Sequence, residues 1–169
     1  MKRALCFCAV VLAGAGCSKA AVNARADQSV KDYYAWTQAL TEHGSKVANA
    51  TFDVIDGKGE KKAVEDARKS ALSFCKEGVE RLEQTKATIR FAAFEAWHKT
   101  ALEYGQWECA QVKVICDEMV RRLEDTSGTA DARKRALLEW FTPLNDAELS
   151  RKAQIEAATK TLYAAMAER

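Results

Sequence analysis

Apolar side chains recur every three or four residues along most of this chain, with polar residues between them. That is the pattern of amphipathic helices sharing a core. Tyr33, Trp36, Leu40, Val47 and Val54 form one stripe and predict a first helix over 28–53. Asp56-Gly57-Lys58-Gly59 then stops it, because glycine supplies the positive φ angles a tight connection needs. Val64, Ala67, Ala71, Leu72, Cys75, Val79 and Leu82 predict a second helix over 60–84. Gly78 within it costs about 1 kcal/mol of helix propensity and points to a close helix contact.

The third stripe is the most aromatic: Phe91, Phe94, Trp97, Ala101, Val112, Ile115, Cys116, Met119 and Leu123 predict a core helix over 88–124. Phe94 and Trp97 are expected to be its most buried residues. Neither glycine nor proline separates the second and third helices. One straight helix over 60–125 would reach about 100 Å at 1.5 Å per residue, so length places a fold at Thr85-Lys86-Ala87-Thr88. Thr126-Ser127-Gly128-Thr129 closes the third helix and caps the next. The last pattern is interrupted at Thr142-Pro143, and Asn145 with Glu148 reads as a capping pair that restarts it. It therefore covers 130–141 and 146–168, either kinked or split near Pro143. Four long segments with short connections predict an all-α, antiparallel up-and-down four-helix bundle over 28–169. One internal echo, Asp66 to Leu72 against Asp131 to Leu137, agrees at six of seven positions and raises the question of a duplicated helical hairpin.

The beginning of the chain changes this picture. Met1-Lys2-Arg3, the apolar run from Ala4 to Ala15 and then Gly16-Cys17-Ser18 read as an export signal too short to span a membrane. Small residues before Cys17, in Leu12-Ala13-Gly14-Ala15-Gly16-Cys17, resemble those of bacterial lipoprotein precursors, with Gly14 where that family usually has leucine. The resemblance covers the first 18 residues. It implies removal of residues 1–16, lipid attachment at Cys17 and a short tether over 17–27. Ser18 after the cysteine resembles the enteric signal for the outer membrane. Ala13-Gly14-Ala15 offers a competing ordinary cleavage site, which would release a soluble protein.

Removing residues 1–16 takes two of the 26 basic side chains, Lys2 and Arg3, and leaves 24 against 24 acidic ones. A neutral chain lacks the one-signed excess that nucleic-acid binding demands, and Arg133-Lys134-Arg135 reads as a solvated helix face. Once Cys6 and Cys8 leave with the signal and Cys17 is lipidated, Cys75, Cys109 and Cys116 remain. Cys109 and Cys116 lie about 10 Å apart on one helix, too far for a disulfide. A fold near residue 86 sets Cys75 level with His98 and about 16 Å from Cys109. All three are therefore expected as reduced, buried fillers.

Glu95-Ala-Trp-His98 has the Glu-x-x-His spacing that resembles half of a di-iron carboxylate site in ferritin-like bundles, and counting from the expected turns places His43 near the same level. Leu40 stands where a second motif would need glutamate. No nucleophile elbow, zinc-protease pair or phosphate loop occurs in the sequence. The chain thus reads as a non-enzymatic, lipid-anchored envelope module for binding or structure, with no cofactor, no metal and an envelope protein as partner. Two alternatives stand beside it: a small-ligand or metal-binding bundle using His43, Glu95 and His98, and a soluble periplasmic stress or chaperone-like protein.

Overall fold

The computed structural model describes residues 18–85 and 89–169, apart from the side chains of 145 and 146. The signal segment, Cys17 and residues 86–88 of the expected turn lie outside the described residues. Four helices run α1 (Lys19–Ile55), α2 (Lys61–Thr85), α3 (Ala92–Glu124) and α4 (Ala130–Ala167) in an all-α bundle. Successive helices are antiparallel neighbours. The parallel pair α1 and α3 meets across the diagonal, while the backbones of α2 and α4 make no close approach among the described residues.

Two expected turns sit where glycine permits them, with φ of 72° at Gly57 and 78° at Gly128. Thr129 caps α4 by accepting from the Ala132 amide at 3.2 Å. The beginning of α1 is a correction. Residues 19–27, expected as a tether, are helical, Ser18 accepts the Ala21 amide, and Ala26 is fully buried. Alanine at 20, 21, 24 and 26 explains this, since it carries the strongest helix propensity. The last helix is kinked rather than split, with Pro143 inside α4.

The core divides in two along the bundle axis. One cluster is aromatic and joins Tyr33, Trp36, Phe94, Trp97 and Tyr104 to Leu82, Ile155 and Leu162. The other is mostly aliphatic and joins Val47, Ile55, Val64, Cys116, Met119, Leu123 and Leu137. Phe94 and Trp97 are buried as their stripe predicts, and the Trp97 indole donates to Thr159 Oγ1 at 3.0 Å. Gly78 makes the close contact expected of it. A Cβ there would lie 1.9 Å from Trp36 Nε1, so the indole rests directly on the α2 backbone. Gly105 of α3 faces the same ring from the other side, where a Cβ would come within 3.0 Å.

The repeated heptapeptide is not used in the same way twice. In α2 the buried position is Ala71, whereas in α4 it is Leu137, the counterpart of Leu72. The two copies thus face the core rotated by one residue, which weakens the case for a duplicated hairpin. Nor is the basic run fully solvated. Lys134 pairs with Asp56 at 2.7 Å and Arg133 donates to the Arg122 carbonyl, tying α4 to both neighbouring helix ends.

Candidate functional site

The residues with metal-ligand spacing do not come together. His98 is buried, and its Nε2–H donates to the Leu82 carbonyl at 2.6 Å. Leu82 lies in the last turn of α2, where carbonyls lack helical partners, so His98 acts as a cap. Glu95 is exposed in the first turn of α3, a favourable place for a carboxylate at the positive end of the helix dipole. His43 stacks on Phe74 at 4.5 Å and meets Ser70 Oγ through Nδ1 at 3.3 Å. Ser70 and Leu82 mark the levels of the two histidines on α2 and stand about 18 Å apart along it. The expectation that His43 and His98 share a level is therefore overturned, and no three metal-ligating side chains gather among the described residues.

The cause is the connection between α2 and α3. α2 ends at Thr85, where the fold is expected, but the crossing lasts until Ala92, where α3 begins after an extended Phe91 rather than at 88. Ile89 within that crossing is buried in the aromatic cluster. The sequence carries no glycine or proline to mark this exit, and the apolar Ile89 and Phe91 read equally well as helix.

The groove that the bundle does form lies between α1, α3 and α4. It encloses about 390 Å³ and follows Leu40, Gly44, Ala48 and Phe52, which are spaced by four on α1. Trp107, Gln111, Ile115 and Met119 of α3 and Leu138, Phe141 and Leu144 of α4 complete its walls. Two features keep it open. Gly44 has nothing within 4 Å of where a Cβ would stand. Between Leu137 and Ile155, α4 contributes no fully buried side chain among those described, and Leu138 and Leu149 are exposed.

Among the described residues, the charged side chains lining the groove are Glu108 and Glu148. Glu108 is the unusual one. Its Oε2 is buried without a partner, as is the nearby Tyr33 hydroxyl. Burial, followed by the charge of Glu148, lifts its carboxyl to about 7, while a hydrogen bond from Tyr104 and the charge of Lys152 act the other way. Tyr33 and Tyr104 are themselves pushed up, first by burial and then by the charge of Glu108. At one end Arg151 stacks over Trp107 at 4.8 Å.

Sequence reasoning missed Glu108. A signal was present, because Ala101, Tyr104, Glu108 and Val112 continue one helical face, and a carboxylate there stands where the stripe calls for an apolar residue. A larger cleft of about 720 Å³ between α1 and α2 has Trp36 and Phe74 in its wall, but its charged groups, Asp32 and Arg81, are exposed. Among the described residues no helix is long and apolar enough to cross a membrane. No protein-family model, curated protein or solved structure matches the chain.

Proposed function

We propose that this chain is a lipid-anchored cell-envelope protein whose bundle is a non-enzymatic binding module, with the groove beside Glu108 as its binding site. The observation that carries the binding reading is a buried carboxylate with an unpartnered oxygen in the wall of an apolar groove. Such pockets combine apolar walls with a few placed polar groups, and about 300–1,000 Å³ is their usual size. The groove runs about 18 Å from Leu40 to Phe52, so its ligand is elongated and apolar. Among the described residues both charges that line the groove are negative, with Arg151 held over Trp107 at its edge. The head group it favours is therefore a cationic amine.

Support for the anchor comes from Met1-Lys2-Arg3, the apolar run and Cys17. With α1 beginning at Lys19, a lipid on Cys17 joins the bundle with almost no slack. The end holding the α1 start and the α4 terminus then faces the membrane, and the groove lies farther from it. Cys17→Ser is expected to abolish incorporation of labelled fatty acid in cells. Retained label, or wild-type protein recovered wholly in the soluble fraction, would overturn the anchor.

Binding is tested by calorimetry on the chain from Ser18 onward, which contains every residue of both core clusters. The probes are n-decylamine, n-decanol and decanoate, each kept below its aggregation concentration. Saturable one-to-one binding of the amine is expected, with decanoate much weaker. Glu108→Gln should weaken the amine at least tenfold and leave the alcohol unchanged. Equal binding of amine and carboxylate, or indifference to Glu108→Gln, would refute the site. Because a proton competes with the amine for a carboxyl near 7, amine affinity is expected to fall as pH drops below that value and to level off above it.

A further inference from the structure

The register of α2 against α3 is fixed at two points. Arg68 holds Asp117 at 2.6 Å, and His98 holds the Leu82 carbonyl at 2.6 Å. Cys75 lies midway between Arg68 and Leu82, and the matching midpoint of α3 falls at Trp107 and Glu108, next to Cys109. Cys75 belongs to the aromatic cluster and Cys109 packs against that same cluster. Cys109 is also the foremost influence on the Cys75 thiol, as it must be if the two side chains face each other across α2 and α3. This corrects the expectation that they stand about 16 Å apart, which rested on a shorter turn. Cys116, about 10 Å farther along α3, belongs to the other cluster.

We propose that Cys75 and Cys109 form an oxidation site, a disulfide that ties α2 to α3 at mid-height of the bundle. The oxidant is a disulfide donor, either a small molecule or a thiol oxidase, reacting by exchange. Cys109 is half-buried and Cys75 is 3% exposed, so Cys109 reacts first. Its thiolate attacks one donor sulfur, forming a mixed disulfide and expelling the first donor thiolate. Cys75 then gives up its proton, attacks Cys109 Sγ and expels the second. Two electrons and two protons leave the pair, and the donor disulfide ends as two thiols. The Cys75 thiol is held well above its usual range, first by the neighbouring Cys109 thiol and then by burial. Its attack is therefore the slower step. Cys116 is pushed up to about 11 by burial and has no thiol partner in its own cluster.

The test uses the full chain, purified reduced in detergent and incubated without denaturant in oxidised glutathione. Remaining thiols are alkylated after unfolding, and the chain is cut with trypsin. Trypsin separates the three cysteines into peptides 70–76, 100–113 and 114–121. The expected product is 70–76 joined to 100–113, lighter by the two hydrogens lost, with Cys116 alkylated. Cys116→Ser should keep the link. Cys109→Ser should abolish it, and Cys75→Ser should leave glutathione on Cys109 at no less than ten times the wild-type level, circular dichroism confirming that each variant remains helical. Three alkylated cysteines, a link through any other cysteine, or glutathione retained on wild-type Cys109 would each overturn the proposal.

Discussion

The two ends of the bundle use the same four helices and close differently. At the aromatic end every helix contributes buried side chains to one cluster, and α1 and α4 are joined by Asn23 to the Met166 carbonyl and Tyr34 to Thr159. At the aliphatic end α4 gives the cluster a single fully buried side chain, Leu137, with Trp140 and Phe141 packed beside it, and from 142 to 154 none of its described side chains is fully buried. Two glycines summarise the contrast. Gly78 is filled to contact by Trp36, whereas Gly44 opens onto empty space. Glycine in a helix therefore signals close packing at one end and a cavity at the other, and only the neighbouring helix decides which.

The largest test of this contrast is truncation at each end. Trp97 is 1% exposed and hydrogen-bonded to Thr159, so Trp97→Ala is expected to destabilise the fold by about 3–5 kcal/mol. Leu138, in the groove wall, is 56% exposed, and Leu138→Ala should change stability by less than about 0.5 kcal/mol. Chemical denaturation of both variants measures the difference. Similar losses would erase the distinction between a packed and an open end.

Titration sharpens the same comparison. Glu108 has a folded value of about 7 against 4.5 for an ordinary glutamate. The folded state therefore binds more protons than the unfolded one between those values. Its contribution is fully present below pH 4.5 and is lost as pH rises through about 7. Raising pH from about 5 to 8 should remove on the order of 2 kcal/mol, and Glu108→Gln should remove that dependence. An unchanged pH profile in the variant would show that the carboxyl is not perturbed by its groove.

Much of the fold was legible because helix period, glycine turns and caps are local properties. Trp97, Phe94, Gly57, Gly128 and Thr129 all do what their sequence context asks. What escaped depends on contacts between helices. The level of Cys75 against α3 hangs on an exit around Ile89 that no turn residue marks, and the same error misplaced His98 relative to His43. Glu108 escaped for a related reason. Its carboxyl is buried by α1 and α4 as well as by its own helix, and α4 has no stripe strong enough to orient it from sequence.

A smaller effect is expected at Gly78, where added bulk meets the Trp36 ring. Overpacking of this kind costs about 1–3 kcal/mol, so Gly78→Ala should destabilise despite alanine's better helix propensity. Its loss should also register in tryptophan fluorescence, since the indole must leave the Phe74 carbonyl that it meets at 3.4 Å. A neutral Gly78→Ala would mean that the indole shifts without strain and that this end is looser than its contacts indicate.

The smallest expected effect has the opposite sign. Gly44 lies inside α1 with room for a Cβ, so Gly44→Ala should stabilise by up to about 1 kcal/mol through helix propensity alone. The same position separates folding from binding. Gly44→Leu places an apolar side chain in the groove, away from the packed contact of Trp36 on Gly78, so the melting temperature should hold or rise. Binding of n-decylamine should fall at least tenfold, because the space it needs is occupied. If both substitutions destabilise, the space at Gly44 is closed by α4 in solution. The open end would then be packed as tightly as the aromatic one.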